Sequence, residues 1–352
     1  MRLWAVVKNG QPLECLEVAT PEPRGTEVVL EVTHCGVCHS DLHFWKGTYD
    51  LGGGNVMTLI DRGVTLPRAP GHEPVGRVVA VGPDATGVSV GDARVIFPWM
   101  GCGECWRCKS GDENLCDKPA AVGVIRHGGF SSHIVAPHPR YLFDYGTVDP
   151  ATAATYACSG ITVYSAINKF RPLHKDKPIL LVGAGGLGLA AMAMLRALDH
   201  TGDIIVVDIA EDKRRAAIDA GAKAAIDGRA EDVVAQIQKA AGGAMLQAID
   251  FVNSAATAAM ALDTLGRGGQ LVLVGVAGGE IKLSVSSLIF RPRAMIGSAT
   301  GSLNDLRDVL ELAKSGKLKP TPIELMPKDK ANEALQKLKA GAVTGRLVLE
   351  GA

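Results

Sequence analysis

The sequence predicts an α/β protein made of a β-rich part and a doubly wound, parallel-sheet domain. Three observations carry this. The chain has 352 residues, too many for one ordinary core and enough for two domains. Residues 1 to about 150 hold short β-branched segments such as Glu27–Val32 and Gly76–Val81, parted by turn formers at Pro21–Gly25, Val81–Asp84 and Val90–Asp92. From about 160 to 295 the rhythm changes: apolar runs at Ile179–Val182, Ile204–Val207, Ala248–Val252 and Gln270–Val274 alternate with alanine-rich helical stretches, the pattern of βαβ units. Beyond them the sequence predicts helices over Leu303–Ser315 and Lys330–Ala340 and a closing strand at Gly345–Leu349.

Composition removes several function classes. The 37 basic and 37 acidic residues balance to a net charge of zero without a long basic run, which excludes the footprint of a nucleic-acid binder. The start, Met1-Arg2-Leu3-Trp4, lacks the apolar segment of a signal peptide, so a cytoplasmic location is expected. Pro178–Leu195 is uncharged and long enough to pass a crude membrane filter, but its glycines have a better explanation, and no membrane partner is expected. The chain has eight cysteines: Cys15, Cys35, Cys38, Cys102, Cys105, Cys108, Cys116 and Cys158. In a cytosolic protein such clustering points to metal rather than to disulfides.

The glycines mark a dinucleotide site. Ile179–Val182 reads as a strand, Gly183-Ala184-Gly185-Gly186-Leu187-Gly188 follows at once, and Leu189–Leu198 is helix-forming. In this Rossmann context the first glycine allows the tight turn, the second lets backbone approach a pyrophosphate, and the third lets helix pack on strand. The helix N-terminus then offers free N–H groups and partial positive charge to the phosphates. Asp208 ends the second strand, 20 residues after Gly188. A carboxylate there accepts hydrogen bonds from both ribose hydroxyls and repels a 2′-phosphate, so NAD is preferred over NADP. A strand-end or helix-capping acid is the alternative for Asp208. Lys213 joins the cofactor-binding candidates.

Two metal sites are readable. Cys102-x2-Cys105-x2-Cys108-x7-Cys116 offers four thiolates on one short loop, enough to close a tetrahedral structural zinc. An iron–sulfur cluster is the alternative. Cys38, His72 and Cys158, far apart in sequence, would give Cys2His with an open fourth position, as a catalytic zinc needs. Ordinary core roles for His72 and Cys158 are the alternative. Cys35-x2-Cys38 also resembles a thiol-redox pair, but it is not expected to open a helix in a thioredoxin-like βαβ unit. Cys15 is expected to be a small buried residue.

Taken together, Gly36-Val37-Cys38-His39-Ser40-Asp41-Leu42-His43, Gly71-His72-Glu73, the four-cysteine lobe, Cys158-Ser159-Gly160-Ile161-Thr162 and the glycine turn resemble the zinc-dependent medium-chain alcohol dehydrogenases almost end to end. The resemblance implies a GroES-like β-rich catalytic domain from residues 1–159 and 296–352, with the cysteine lobe at about 98–118, and a Rossmann NAD-binding domain at 160–295. It implies two zinc ions per chain. Cys38, His72 and Cys158 match the catalytic ligands, and Glu73 matches an acid that approaches the metal in some members. Asp41 matches the carboxylate orienting the histidine ligand. Ser40 and His43 match the proton relay, and His39 and Arg346 match contacts to the cofactor pyrophosphate. The implied reaction is reversible hydride transfer between NAD and a primary or secondary alcohol, aromatic alcohols included, giving an aldehyde or ketone, with zinc as Lewis acid.

A zinc-free quinone or enone reductase on the same fold is disfavoured by the presence of all three ligands. A non-catalytic member would have lost Cys38 or His72. Residues 49–67 form a candidate substrate-pocket lip, and Phe44, Trp45 and Trp99 are candidates to line an apolar pocket. The family implies a homo-oligomer, a tetramer ahead of a dimer, and the run Gln270–Val276 is a candidate to extend a sheet between subunits.

Overall fold

The computed structural model describes residues 1–351. A six-stranded sheet runs in spatial order Ala224–Asp227, Ile204–Asp208, Ile179–Val182, Met245–Asp250, Leu265–Leu273, Arg293–Gly297, and every pairing is parallel. Numbered along this segment, the order is 3-2-1-4-5-6, that of the doubly wound dinucleotide fold. The alternating side chains explain the continuous apolar runs. Ile179 and Leu181 enter one core cluster and Leu180 and Val182 the other, so both faces are covered.

The second sheet has seven strands. Ile323–Pro327, Arg346–Glu350, Val28–Val37, Glu73–Val81, Ala93–Ile96 and Leu142–Phe143 lie in that order, and His133–Ala136 also pairs with Val28–Val37. Its register positions the chemistry. Val37 lies opposite Leu347, and Gly36 opposite both Val348 and Glu73. The chain around Cys38, His72–Glu73 and Arg346 is therefore brought to one end of three adjacent strands. The Val28–Val37 strand runs well past the segment its apolar pattern suggests. Thr33-His34-Cys35-Gly36 is a poor strand sequence, and the ladders on both sides hold it extended.

Several expectations are corrected. Cys15 is exposed, on the short Glu14–Glu17 strand of a two-stranded ribbon that leaves it no core to enter. Cys38 does open a helix, His39–Lys46, but the strand before it pairs antiparallel with Glu73–Val81 and the strand after it lies in a separate hairpin, so no βαβ unit exists. Gln270–Leu273 is an interior segment between two strands; the edge belongs to Arg293–Gly297. Among the described residues, no helix is long and apolar enough to cross a membrane.

Candidate active site

The His39–Lys46 helix begins where the Val28–Val37 strand ends. The Cys38 amide donates to Asp41 Oδ2 at 2.9 Å, reaching across the first turn, and Gly47 closes the helix at φ 87°. The other Asp41 oxygen accepts from the Gly71 amide at 2.9 Å and sits 3.2 Å from His72 Nδ1. One buried carboxylate thus ties together the chain segments that carry Cys38 and His72. Cys158 arrives from a π-helical turn, Tyr156–Gly160, between the helices Pro150–Thr155 and Ile161–Ile167. The Trp99 indole donates to the Ala157 carbonyl at 3.2 Å, and its ring lies 5.2 Å from the His72 ring.

One ligand atom from each of Cys38, His72, Glu73 and Cys158 lies within 4.8 Å of the others. The set fits a metal ion. His72 is 1% exposed, and its Nε2 is buried without a hydrogen-bond partner. Such an orphaned nitrogen is costly unless something accepts its lone pair. With Nδ1 facing Asp41, Nε2 is the nitrogen left to bind. The Cys38 thiol is held well below the usual thiol range by Cys158, against burial, with further help from His72. Asp41 keeps the His72 ring well above its ordinary pKa even though burial opposes this.

Glu73 and Arg346 form a buried ion pair behind this set. Burial pushes the Glu73 carboxyl up to about 7, against the pull of Arg346. The Arg346 guanidinium is paired with Glu73 through Nη2, while its stem packs beside the glycine turn, where a Cβ on Gly186 would meet Arg346 Cδ at 2.7 Å.

The glycine turn meets the requirements of a dinucleotide. Gly183 has φ 98°, and a Cβ on Gly188 would lie 2.0 Å from the Gly183 carbonyl oxygen. A Cβ on Gly185 would meet nothing within 4 Å, leaving open space ahead of the helix Gly186–Ala197. Asp208 accepts from the Ala184 amide at 2.8 Å and, with its other oxygen, from the Ala210 amide at 2.9 Å. It braces the turn as well as ending its strand, and each oxygen keeps a further acceptor position.

A cavity of about 630 Å³ joins these parts. Cys38, His39, Ser40, Asp41, His43, His72, Cys158, Gly183, Gly185, Gly186, Leu187, Gly188, Asp208, Lys213 and Arg346 all line it. Phe44 and Trp99 do too, whereas Trp45 packs elsewhere, its indole donating to the Gln11 carbonyl. Sequence reasoning missed Asn114 and the wall segments Val274–Ala277 and Ser298–Thr300. A signal existed for both segments, since the carboxyl ends of parallel strands border the crevice in this fold. From the 49–67 lip, Tyr49 and Arg62 reach the cavity.

The other cysteines also fit a single ion. The ligand sulfurs of Cys102, Cys105, Cys108 and Cys116 lie within 4.8 Å of one another, with three S···S contacts of 3.5, 3.8 and 3.9 Å. Four Zn–S bonds of about 2.3 Å in a tetrahedron require S···S edges of about 3.8 Å. An iron–sulfur cluster, with several atoms between its ligands, would hold the sulfurs farther apart.

A dinucleotide turn and a buried thiolate–imidazole set facing one crevice define the class of metal-assisted, nucleotide-linked oxidoreductases. Residues 24–144 match the family described as "Alcohol dehydrogenase GroES-like domain" and residues 186–315 the one described as "Zinc-binding dehydrogenase". The chain is 35% identical to the NAD-dependent alcohol dehydrogenases of Sulfurisphaera tokodaii and of Saccharolobus solfataricus, covering 99% of both chains in each comparison. It superposes on the alcohol dehydrogenase of Aeropyrum pernix with a TM-score of 0.90 and 28% identity over 100% of both chains. This chain belongs to the zinc-type medium-chain alcohol dehydrogenase family.

Proposed function

We propose that the protein is an NAD-dependent, zinc-dependent alcohol dehydrogenase, interconverting primary or secondary alcohols with aldehydes or ketones. The observation that carries this reading is the convergence of Cys38, His72 and Cys158 on the wall of the cavity that also holds the glycine turn. Zinc held by these three residues would supply a Lewis acid for the substrate oxygen, and NAD would supply the hydride acceptor. Asp41 holds the His72 ring at Nδ1, so Nε2 is the nitrogen that would bind the zinc. Ser40 and His43, on one helix and both on the cavity wall, serve the proton: Ser40 Oγ accepts it from the reacting hydroxyl, and a His43 ring nitrogen passes it towards solvent. Burial lowers the His43 pKa, which favours the neutral ring that this role needs. His39 and Lys213 serve the cofactor with the glycine turn, and Asp208 serves its ribose hydroxyls. Glu73 backs the metal set from behind.

Residues 1–159 and 296–352 form the catalytic domain and 160–295 the NAD domain. A second zinc closes the lobe at about 98–118, giving two per chain. The protein acts in the cytoplasm as a homo-oligomer, a tetramer. The free edge of Arg293–Gly297, with exposed Val285, Ile289 and Phe290 just before it in sequence, supports subunit pairing there.

The test is metal content per chain together with an alcohol panel, following the nicotinamide absorbance with NAD and NADP. Two zinc ions and NAD-linked turnover are expected, with turnover abolished in Cys158→Ala while the lobe keeps its ion. NAD-linked turnover that persists after complete zinc removal would overturn the reading. Sedimentation tests the tetramer, and a monomer would dismiss it.

A further inference from the structure

Nearly every permanently charged side chain on the cavity wall is matched within the chain. Asp41 is bonded to Cys38, Gly71 and His72, and Arg346 to Glu73. Glu113 is bonded to Tyr141 and paired with Arg140, and Asp208 holds two backbone amides. Lys213 and Arg62 are the exceptions: neither side chain has a hydrogen bond or ion pair among the described residues. Lys213 stands on the Glu211–Asp219 helix that follows the Asp208 strand, at the nucleotide end.

Arg62 stands on the β-rich part of the chain. It ends a short turn, Ile60–Arg62, directly after the hairpin formed by Thr48–Gly52 and Asn55–Thr58. Its neighbour Asp61 is occupied by the Thr58 amide and hydroxyl and does not neutralise it. The Arg62 charge is felt at the Tyr49 phenol, and the Tyr49 ring stacks on His43 at 5.0 Å. An exposed guanidinium thus lines the same cavity as a phenol and the imidazole that serves the proton. The wall also carries the apolar side chains of Trp99, Met100, Val124 and Ile125. Those side chains offer nothing to a charged group.

We propose that Arg62 is a specificity-determining residue that selects alcohols and carbonyl compounds carrying a carboxylate a few bonds from the reacting carbon. The proposal rests on the dehydrogenase reading and names its substrate class. A guanidinium matches a carboxylate with two parallel N–H···O bonds. An anion bound against those apolar side chains would be desolvated without a partner. The phosphates of the cofactor have a separate receiver in the glycine turn and helix N-terminus. Because Arg62 is exposed, water screens part of its charge, and the discrimination it provides is roughly tenfold rather than thousandfold.

The experiment uses the full-length, zinc-loaded enzyme with NAD and matched pairs of ω-hydroxycarboxylates and their ω-hydroxyamides, of equal length and shape. The wild type should favour the acid over the amide in kcat/KM by roughly tenfold, mainly through KM. In Arg62→Gln this preference should collapse to about one, and in Arg62→Glu it should invert. Equal kcat/KM for acid and amide in the wild type would overturn the proposal, as would a preference that survives in R62Q. Fluorescence titration with NADH separates the two sources of anion. Weaker NADH binding in R62Q, with both substrates affected alike, would assign the guanidinium to the cofactor and sink the proposal. Failure of the dehydrogenase reading looks different: no alcohol, charged or neutral, is turned over with NAD, and both inferences fall together.

Discussion

His200 is 2% exposed, and neither ring nitrogen has a hydrogen-bond partner. Burial, helped by the nearby Arg196 charge, pushes its pKa down to about 4. The folded chain therefore keeps this ring neutral at pH values where the unfolded chain, with an ordinary pKa of about 6.5, protonates it. The sign follows. Below about 6.5 the unfolded state binds a proton that the folded state refuses, so stability is full above that value and falls as pH drops towards 4. Between pH 7.5 and pH 5 the cost is about 2 kcal/mol. His200→Phe should lose about 2 kcal/mol less than the wild type over that interval, measured by urea unfolding at each pH. Parallel pH curves for the two proteins would show that the ring finds a partner the structure does not hold. Nothing local marks this residue, since a histidine in Asp199-His200-Thr201 reads as an ordinary loop position.

At the scale of elements, legibility followed the range of the interactions. Strand, glycine turn and helix at 179–198 were readable because period, turn chemistry and capping are decided within a few residues. The cysteine lobe was readable because its four ligands share one loop. The π-helical turn that presents Cys158 was not, because it departs from a plain helix by one step in the hydrogen-bond pattern, set by packing rather than by local propensity. The Glu73–Arg346 pair was not readable either, as it depends on a register between strands far apart in sequence. A contact between elements gives the next prediction. The Asn114 amide, in the cysteine lobe, donates to the Ala299 carbonyl at 2.9 Å, next to Thr300, which is held at φ 51°. A β-branched residue in that region is strained and needs its surroundings to hold it. Asn114→Ala should let the 298–300 wall relax, raising KM for bulky alcohols by roughly three- to tenfold at nearly constant kcat, the effect of one lost hydrogen bond of about 1 kcal/mol. An equal fall in kcat across small and bulky alcohols, with KM unmoved, would refute a role in shaping the wall.

The whole molecule depends on how its late strand is built in. Arg346–Glu350 lies between Ile323–Pro327 and Val28–Val37, and this insertion carries Arg346 to Glu73 beneath the metal set and beside the glycine turn. Both partners are buried, with Glu73 at 0% and Arg346 at 6% exposure. Taking two charges out of water offsets most of their attraction, so the pair is worth little as a source of stability, but breaking it strands a buried charge. Arg346→Met should therefore destabilise the zinc-loaded protein by about 3 kcal/mol, because Glu73 is left without its counter-ion. Adding Glu73→Gln removes the stranded charge and should recover most of that loss, so the double variant is more stable than Arg346→Met alone. Urea unfolding of the two singles and the double closes the cycle. If the two losses simply add, Glu73 and Arg346 do not compensate one another, and the guanidinium is free for the pyrophosphate contact that the family resemblance implies.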